Sequence, residues 1–181
     1  TGRAGTGKTT MLRKFLAQAG DSAIVLAPTG VAAMNAGGQT IHSFFKFPPR
    51  LIEPTDIKRL RSTRLVKAID TMIIDEISMV RSDMLDAIDK SLKLNRASKR
   101  PFGGVRMILS GDLHQLPPVV SNQEAPILRE RHGGQYFFNC AAFREAEFAL
   151  LALKHVFRQE DPRFLALLGA LRTGRVTPAD E

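Results

Sequence analysis

The start of the chain contains a complete phosphate-binding loop. Residues 2–9 read Gly-Arg-Ala-Gly-Thr-Gly-Lys-Thr and fit the pattern G-x-x-x-x-G-K-T at every fixed position. The glycines let the backbone turn tightly enough for its N–H groups to point at phosphate oxygens. A helical pattern follows directly, so bound phosphates would lie at a helix N-terminus. Because this loop joins a strand to a helix, it predicts an α/β fold that binds a nucleoside triphosphate.

Individual positions of the loop have distinct expected roles. Lys8 should contact the β- and γ-phosphates, and the Thr9 hydroxyl should ligate Mg²⁺. The residues predicted to contact the nucleotide are Gly2, Gly5, Thr6, Gly7, Lys8, Thr9 and Thr10. Since a β-strand normally precedes such a loop, we expect a strand upstream of Thr1 that this chain does not include.

The charge balance indicates the kind of partner. The chain carries a formal net charge of +8, an excess that favours a polyanion, most simply nucleic acid. Lysines and arginines concentrate in residues 58–67 and 90–100, where we expect contacts to DNA phosphates, with a merely solvated surface as the alternative. No apolar run is long enough to span a membrane. The single Cys140 excludes an internal disulfide, and the histidines lack metal-ligand spacing.

Apolar runs mark the strands, and longer periodic segments mark the helices. Runs typical of parallel strands buried on both faces occur at 22–27, 71–75, 105–110 and 148–153. Helices are predicted at 11–17 with Gly20 as C-cap, at 31–35, at 56–69, after an N-cap at Ser82, and after Asp161. Residues 47–54 are predicted to form an exposed loop, and residues 122–134 a polar one. Strands alternating with helices predict a doubly wound parallel sheet.

Polar residues follow the predicted strands, at the edge where parallel sheets bind ligands. Asp75 and Glu76 end one apolar run. Asp75 is the predicted magnesium-side acid, and Glu76 is the candidate general base for the attacking water. Gln115 follows the next run and suits a sensor of the γ-phosphate, whereas His114 receives no catalytic role. A surface acid pair at a strand end is the alternative interpretation of Asp75 and Glu76.

The order and spacing of several segments resemble helicase motifs. Five segments resemble motifs of superfamily 1B DNA helicases. Residues 2–10 resemble motif I, residues 27–33 (Ala-Pro-Thr-Gly-Val-Ala-Ala) motif Ia, and residues 40–45 (Thr-Ile-His-Ser-Phe-Phe) motif Ic. Residues 74–79 (Ile-Asp-Glu-Ile-Ser-Met) resemble motif II, and residues 111–118 (Gly-Asp-Leu-His-Gln-Leu-Pro-Pro) resemble motif III. RecD-type helicases share the phosphate loop, the Asp-Glu pair and the last of these segments. Residues 85–104, which end Arg-Pro-Phe-Gly-Gly, resemble the signature of the PIF (petite integration frequency) family, and Val-Phe-Arg-Gln at 156–159 resembles motif IV.

The resemblance implies an architecture and an activity. Residues 1–181 would form the first of two RecA-like domains, a P-loop NTPase fold whose parallel sheet has helices on both faces. The second RecA-like domain would lie outside this chain, and residues 46–54 would correspond to a small wedge insertion. The parent would be a monomeric ATP-dependent helicase that moves 5′ to 3′ on single-stranded DNA. It would unwind forked duplex or G-quadruplex DNA in repair, recombination or telomere maintenance.

The resemblance also assigns residues and a compartment. ATP and Mg²⁺ would be the cofactors, with Thr9 and Asp75 on the metal. Catalysis would involve Lys8, Glu76, Gln115 and Arg158, the last two at the γ-phosphate. The DNA track would be lined by Thr29, Gly30, Thr40 and His42. The protein would act in the nucleoid of a bacterium, or in the nucleus or mitochondrion of a eukaryote.

Two other classes of function fit parts of the sequence. A P-loop kinase or GTPase would share the phosphate loop, but the chain has no guanine-reading Asn-Lys-x-Asp segment. A nucleic-acid-binding module without activity would share the basic charge, but Lys8, Asp75 and Glu76 are all retained. Without the second domain and its arginine, which can contribute about 10³–10⁵ in rate, we expect the chain by itself to be a poor ATPase.

Overall fold

The computed structural model describes residues 1–3, 5–61, 63–157, 167–170 and 174. Its centre is a four-stranded parallel sheet with the order β2-β1-β3-β4. The strands are β1 Ala23–Ala27, β2 Gln39–Thr40, β3 Thr71–Ile74 and β4 Arg106–Leu109. Every residue of β3 is buried, as expected for a strand with neighbours on both sides.

Seven α-helices have both ends in the described part of the chain, and residues 167–170 are also helical. They are α1 Lys8–Ala19, α2 Gly30–Ala36, α3 Ile41–Phe45, α4 Thr63–Ala68, α5 Ser82–Arg96, α6 Glu124–His132 and α7 Ala141–Glu145. Short 3₁₀ turns occupy Gly20–Ser22, Pro54–Asp56, Ile77–Met79, Pro101–Gly104 and Phe137–Asn139. No helix in these ranges is both long and apolar enough to cross a bilayer. The predicted helix after Asp161 falls largely outside the described residues.

Apolar side chains cover the sheet on both faces. On one face Leu12 of α1 and Ala36 of α2 pack with Val25 and Ile73. On the other, a larger cluster includes Ile41, Leu85 and Ile88, which are fully buried. The predicted arrangement of a parallel sheet between helices is therefore confirmed, and the predictions for β1, β3, β4, α1 and α2 were correct to within a few residues.

The basic helix predicted at 56–69 is mostly wrong. Among the described residues of this segment, only Thr63–Ala68 is α-helical. Upstream, the N–H of Leu60 donates to Asn95 Oδ1 at 2.8 Å, and the Thr63 hydroxyl donates to the Leu60 carbonyl at 3.3 Å. These bonds replace the i→i−4 ladder at the positions where a continuous helix would need it.

The prediction of a loop at 122–134 is also wrong, because α6 occupies most of this segment. Ser121 and Glu124 form reciprocal bonds at its start. The Ser121 N–H donates to Glu124 Oε2 at 2.9 Å, and the Glu124 N–H donates to Ser121 Oγ at 3.3 Å. This capping box satisfies N-terminal donors, and Gly133 ends the helix in the left-handed conformation at φ 83°.

Three smaller expectations also fail. Ser82 does not cap α5, because Arg81 is the N-cap and the Ser82 hydroxyl donates to the Gly134 carbonyl at 2.7 Å. The loop at 47–54 is irregular but not fully exposed, since Phe47 and Ile52 are buried. Residues 148–153 form no strand and make only an isolated parallel bridge between Leu153 and Gly2.

Candidate functional site

The sequence-predicted site residues converge on one edge of the sheet. Parallel strands present their carboxyl ends together. Asp75 and Glu76 follow β3, and Gly111 and Asp112 follow β4. The Thr1 hydroxyl donates to the Gly111 carbonyl at 3.0 Å, which holds the start of the phosphate loop against the end of β4.

The phosphate loop has the backbone that its glycines allow. Gly5 and Gly7 lie at φ 78° and 83°, in the left-handed region. Lys8 Nζ donates to the carbonyls of Gly2 at 2.7 Å and Arg3 at 3.1 Å. No side chain of a described residue caps α1, so its first N–H groups remain available at the loop. The loop therefore provides a helix N-terminus and an ammonium group, both suited to anionic oxygens.

The two acidic residues after β3, Asp75 and Glu76, lie in different environments. Asp75 is buried, and its N–H donates to the Leu26 carbonyl at 2.9 Å, which ties it to β1. Glu76 has a left-handed backbone at φ 53°, a strained conformation for a non-glycine residue. Burial raises the pKa of the Glu76 carboxyl, and the charges of Asp75 and Asp112 raise it further against the opposing effect of Lys8. A carboxylate with a raised pKa is a better proton acceptor.

The turn after β4 places Gln115 at the same edge. The Gln115 N–H donates to the Asp112 carbonyl at 3.0 Å, and Asp112 Oδ1 accepts from the His114 N–H at 3.1 Å. Gln115 is exposed. Asp112 is buried beside the acid pair. It was not among the predicted site residues, although the Gly-Asp pair within the segment 111–118 could have indicated it.

A close approach links the segments after β3 and β4. The Ile77 N–H donates to the Ser110 carbonyl at 2.9 Å. A Cβ on Gly111 would lie 3.0 Å from Ile77 Cγ2 and 3.1 Å from the Ile77 nitrogen. This position therefore favours glycine, because a side chain would push the turn carrying Gln115 away from the acid pair.

The candidate DNA-track residues lie at the carboxyl ends of β1 and β2. Thr29 Oγ1 accepts from the Ala32 N–H at 3.2 Å, and Thr40 Oγ1 accepts from the Ser43 N–H at 3.1 Å, so both hydroxyls cap helices. Gly30 begins α2. Burial, followed by the charge of Arg81, lowers the pKa of His42, which keeps its imidazole neutral near pH 7.

The donor groups suit Mg²⁺ better than a softer metal. The Thr9 hydroxyl and the Asp75 carboxylate supply oxygens, which Mg²⁺ prefers together with phosphate and water. Among the described residues no group of three His, Cys, Asp or Glu could hold a metal ion unaided. The loop and the acid pair therefore fit a metal that arrives with phosphates. Arg158 lies outside the described residues.

A groove runs along the outer edge of β4, next to this site. Its volume is about 450 Å³. Leu12 of α1, Met107 and Leu109 of β4, and Phe143 and Phe148 line it. The Leu153 N–H donates to the Thr1 carbonyl at 2.8 Å, so residues 149–153 form its outer wall, opposite β4.

Comparisons with known proteins agree on one family. A family model described as PIF1-like helicase matches residues 1–180. The chain is 34% identical over 193 residues to the ATP-dependent DNA helicase PIF1 of Emericella nidulans, covering 98% of this chain and 25% of that protein. It is 35% identical over 180 residues to the mouse (Mus musculus) helicase of the same name, covering 97% and 26%. The chain thus spans about a quarter of the length of these relatives.

Solved structures give the same result. The chain superposes on a crystal structure of Pif1 helicase from Bacteroides in complex with ADP-AlF3 and ssDNA with a TM-score of 0.93 and 44% identity, covering 99% of this chain and 43% of that one. For Pif1 helicase from Candida albicans the TM-score is 0.82 and the identity 33%, with 99% and 41% covered. The predicted RecA-like fold, with a parallel sheet and helices on both faces, is confirmed.

Proposed function

The chain belongs to the PIF1-like helicase family, and from that premise we propose that it is the first RecA-like motor domain of an ATP-dependent DNA helicase. The parent protein moves 5′ to 3′ on single-stranded DNA and unwinds forked duplex or G-quadruplex DNA. The observation that carries this proposal is the convergence of the phosphate loop, the Asp75–Glu76 pair and the Gln115 turn on one edge of the sheet.

Each group at that edge has a step to perform. Lys8 exchanges its bonds to the loop carbonyls for the β- and γ-phosphate oxygens of ATP. Thr9 and Asp75 would hold Mg²⁺, which neutralises phosphate charge when bound. Glu76 accepts the proton of the attacking water, and its raised pKa suits that role. Gln115 contacts the γ-phosphate, together with Arg158.

DNA would cross the same edge at Thr29, Gly30, Thr40 and His42. These residues lie at the carboxyl ends of β1 and β2, and β1 is paired directly with β3. Bound DNA would therefore lie at the same edge of the sheet as the acid pair. Partners would be single-stranded and forked DNA and a second RecA-like domain of the same, monomeric polypeptide. The protein would act where DNA is, in the nucleoid, nucleus or mitochondrion, in repair, recombination or telomere maintenance.

The proposed activity is tested by ATP hydrolysis of the full-length protein. We expect turnover to require Mg²⁺ and to rise on addition of single-stranded DNA. A nucleotide panel should give ATP preference over GTP. Hydrolysis that ignores DNA, or prefers GTP, would contradict the helicase proposal and support a different P-loop enzyme.

The groove along β4 supports a further part of the domain proposal. Within the described residues, β4 has a strand partner, β3, on one side only, and its residues are more exposed than those of β3. The groove is lined by apolar side chains on both faces of the sheet. We propose that a β-strand preceding Thr1 in the longer protein lies here, between β4 and residues 149–153, and bonds to both.

The strand proposal predicts a gain in stability. Extending this chain upstream by about ten residues should raise its free energy of unfolding by about 2 kcal/mol, because new apolar contacts and hydrogen bonds slightly exceed the entropy of ordering the strand. Chemical denaturation measures the change. Hydrogen exchange should show new protection at Met107 and Leu109. A matched extension carrying Asp at its apolar positions is the control, and equal stability for both extensions would refute the proposal.

A charge network holds the candidate wedge insertion at 46–54. Arg81 forms a bidentate pair with Asp83, at 2.9 and 2.8 Å, and the pair is largely buried. Arg81 Nη2 also donates to the Arg50 carbonyl at 2.7 Å, while Asp83 Oδ2 accepts from the Ile52 N–H at 3.0 Å. At the rim, Arg131 of α6 pairs with Glu53 at 2.9 Å. This network supports a rigid insertion, which a strand-separating wedge requires.

We expect Arg81→Lys in the full-length protein to lower fork unwinding by about tenfold. Lysine keeps the charge but lacks the planar guanidinium group, whose several N–H donors reach Asp83 and the Arg50 carbonyl together. Charged hydrogen bonds of this kind contribute about 1.5–3 kcal/mol. ATP hydrolysis on single-stranded DNA should stay within about twofold. Arg131→Lys is the matched control, since its exposed pair contributes little. Parallel loss of hydrolysis and unwinding would assign Arg81 to the motor instead of the wedge.

A further inference from the structure

A second strongly charged region lies away from the site. Arg59, Arg61, Arg64, Lys67, Lys99, Arg100 and Arg106 are all exposed, and none forms an ion pair with another described residue. We call these residues the basic surface. They come from two segments, 57–70 and 94–106, in which Asp70 is the single acidic residue.

Two side chains at the end of α5 join these segments. Asn95 Oδ1 accepts from the Leu60 N–H at 2.8 Å. Arg96 Nη1 donates to the carbonyls of Val66 at 2.6 Å and Ile69 at 2.8 Å. Its Nε donates to the Gly103 carbonyl at 3.0 Å. The guanidinium group of Arg96 is thus hydrogen-bonded to backbone carbonyls. These bonds fix the end of α4 beside the turn that follows Arg100.

The basic surface lies at the edge of the sheet opposite the nucleotide site. Thr71 at the start of β3 pairs with Arg106 at the start of β4, and the Arg106 N–H donates to the Asp70 carbonyl at 2.9 Å. Asp75 follows the other end of β3. At about 3.3 Å per residue, the two edges are separated by about 13 Å along the strand. DNA on the track at Thr29 and Thr40 therefore does not cover these cations.

The chemistry of the surface favours a duplex backbone over a single strand. Phe102, the only aromatic residue of the two segments, is buried, so no aromatic ring there is available to stack on an unpaired base. Arginine and lysine side chains bind phosphate oxygens, and these contacts carry no sequence information. Duplex DNA carries the densest phosphate charge, about one per 1.7 Å. We propose that the basic surface is a second DNA site, which binds the duplex backbone without sequence preference.

This proposal rests on the proposed helicase function, because it supposes that duplex DNA lies near the motor. It is tested by measuring the affinity of the full-length protein for DNA. Probes are a blunt duplex of 30 base pairs and a dT30 single strand, titrated over a range of salt. Arg61→Ala/Arg64→Ala should reduce the salt slope for the duplex by about 1.8, since each lost phosphate contact removes about 0.9. Affinity for dT30 and its stimulation of ATP hydrolysis should not change.

The controls separate location from total charge. Lys14→Ala/Arg129→Ala removes two exposed cations elsewhere and should leave the duplex slope unchanged, while Arg61→Lys/Arg64→Lys should retain it. An unchanged duplex slope for Arg61→Ala/Arg64→Ala, or an equal loss of duplex and dT30 affinity, would overturn the proposal. Absence of DNA-stimulated hydrolysis in the unmodified protein would refute the helicase function instead, whatever the slopes.

Discussion

Glu76→Gln is expected to lower DNA-stimulated ATP hydrolysis by at least about 10²-fold, the usual scale for loss of a general base, while nucleotide affinity stays within about threefold. Glutamine has the shape of glutamate but cannot accept the proton of the attacking water. Its neutral amide also removes the repulsion from Asp75 and Asp112 that raises the pKa of the native carboxyl, so the Glu76→Gln variant should bind ATP at least as well.

Lys8→Ala provides the contrast. Lys8 is the ammonium of the loop, and losing its charged bonds to phosphate should weaken ATP binding by about 10²-fold, near the upper range for such bonds. Measuring affinity with a fluorescent ATP analogue and turnover under saturating DNA separates the two effects. Turnover by Glu76→Gln within threefold of the unmodified protein would remove Glu76 from the role of base. Equal loss of affinity in both variants would assign it to binding.

The nucleotide edge could be predicted because local rules determine it. The loop pattern fixes left-handed glycines and a helix start, and both are present at Gly5, Gly7 and Lys8. The end of a buried apolar run fixes the position of Asp75 at a strand terminus. These inferences need only neighbours in the sequence.

The failures occurred where long-range contacts decide the structure. α6 has a single buried residue, Leu128, so it lacks the apolar periodicity that marks a helix. The segment at 57–60 is held by Asn95, thirty-five residues from Leu60. Phe47 and Ile52 are buried by a cluster that includes α5. Likewise, the meeting of the two basic segments depends on Arg96, whose bonds to Val66 and Gly103 no local pattern reveals.

The second large effect concerns stability and a glycine that no motif singles out. Gly38 lies between α2 and β2, and a Cβ there would be 2.1 Å from the Val25 carbonyl oxygen and 2.8 Å from its carbon. Both atoms belong to the backbone of β1, which β3 holds in register on its other side. The clash could be relieved only by moving β2 away from β1, because a buried strand has no free space to shift into.

Gly38→Ala should therefore lower the free energy of unfolding by about 4 kcal/mol, at the upper end for single substitutions. Gly37→Ala is the matched control: its φ of 72° strains an alanine, but a Cβ there meets nothing within 4 Å, so we expect a loss of about 1–2 kcal/mol. Chemical denaturation followed by circular dichroism compares the two. Losses of equal size would mean that backbone conformation alone requires these glycines. A larger loss for Gly38→Ala, accompanied by weaker single-stranded DNA binding, would show that the contact between β1 and β2 positions Thr40 on the proposed track.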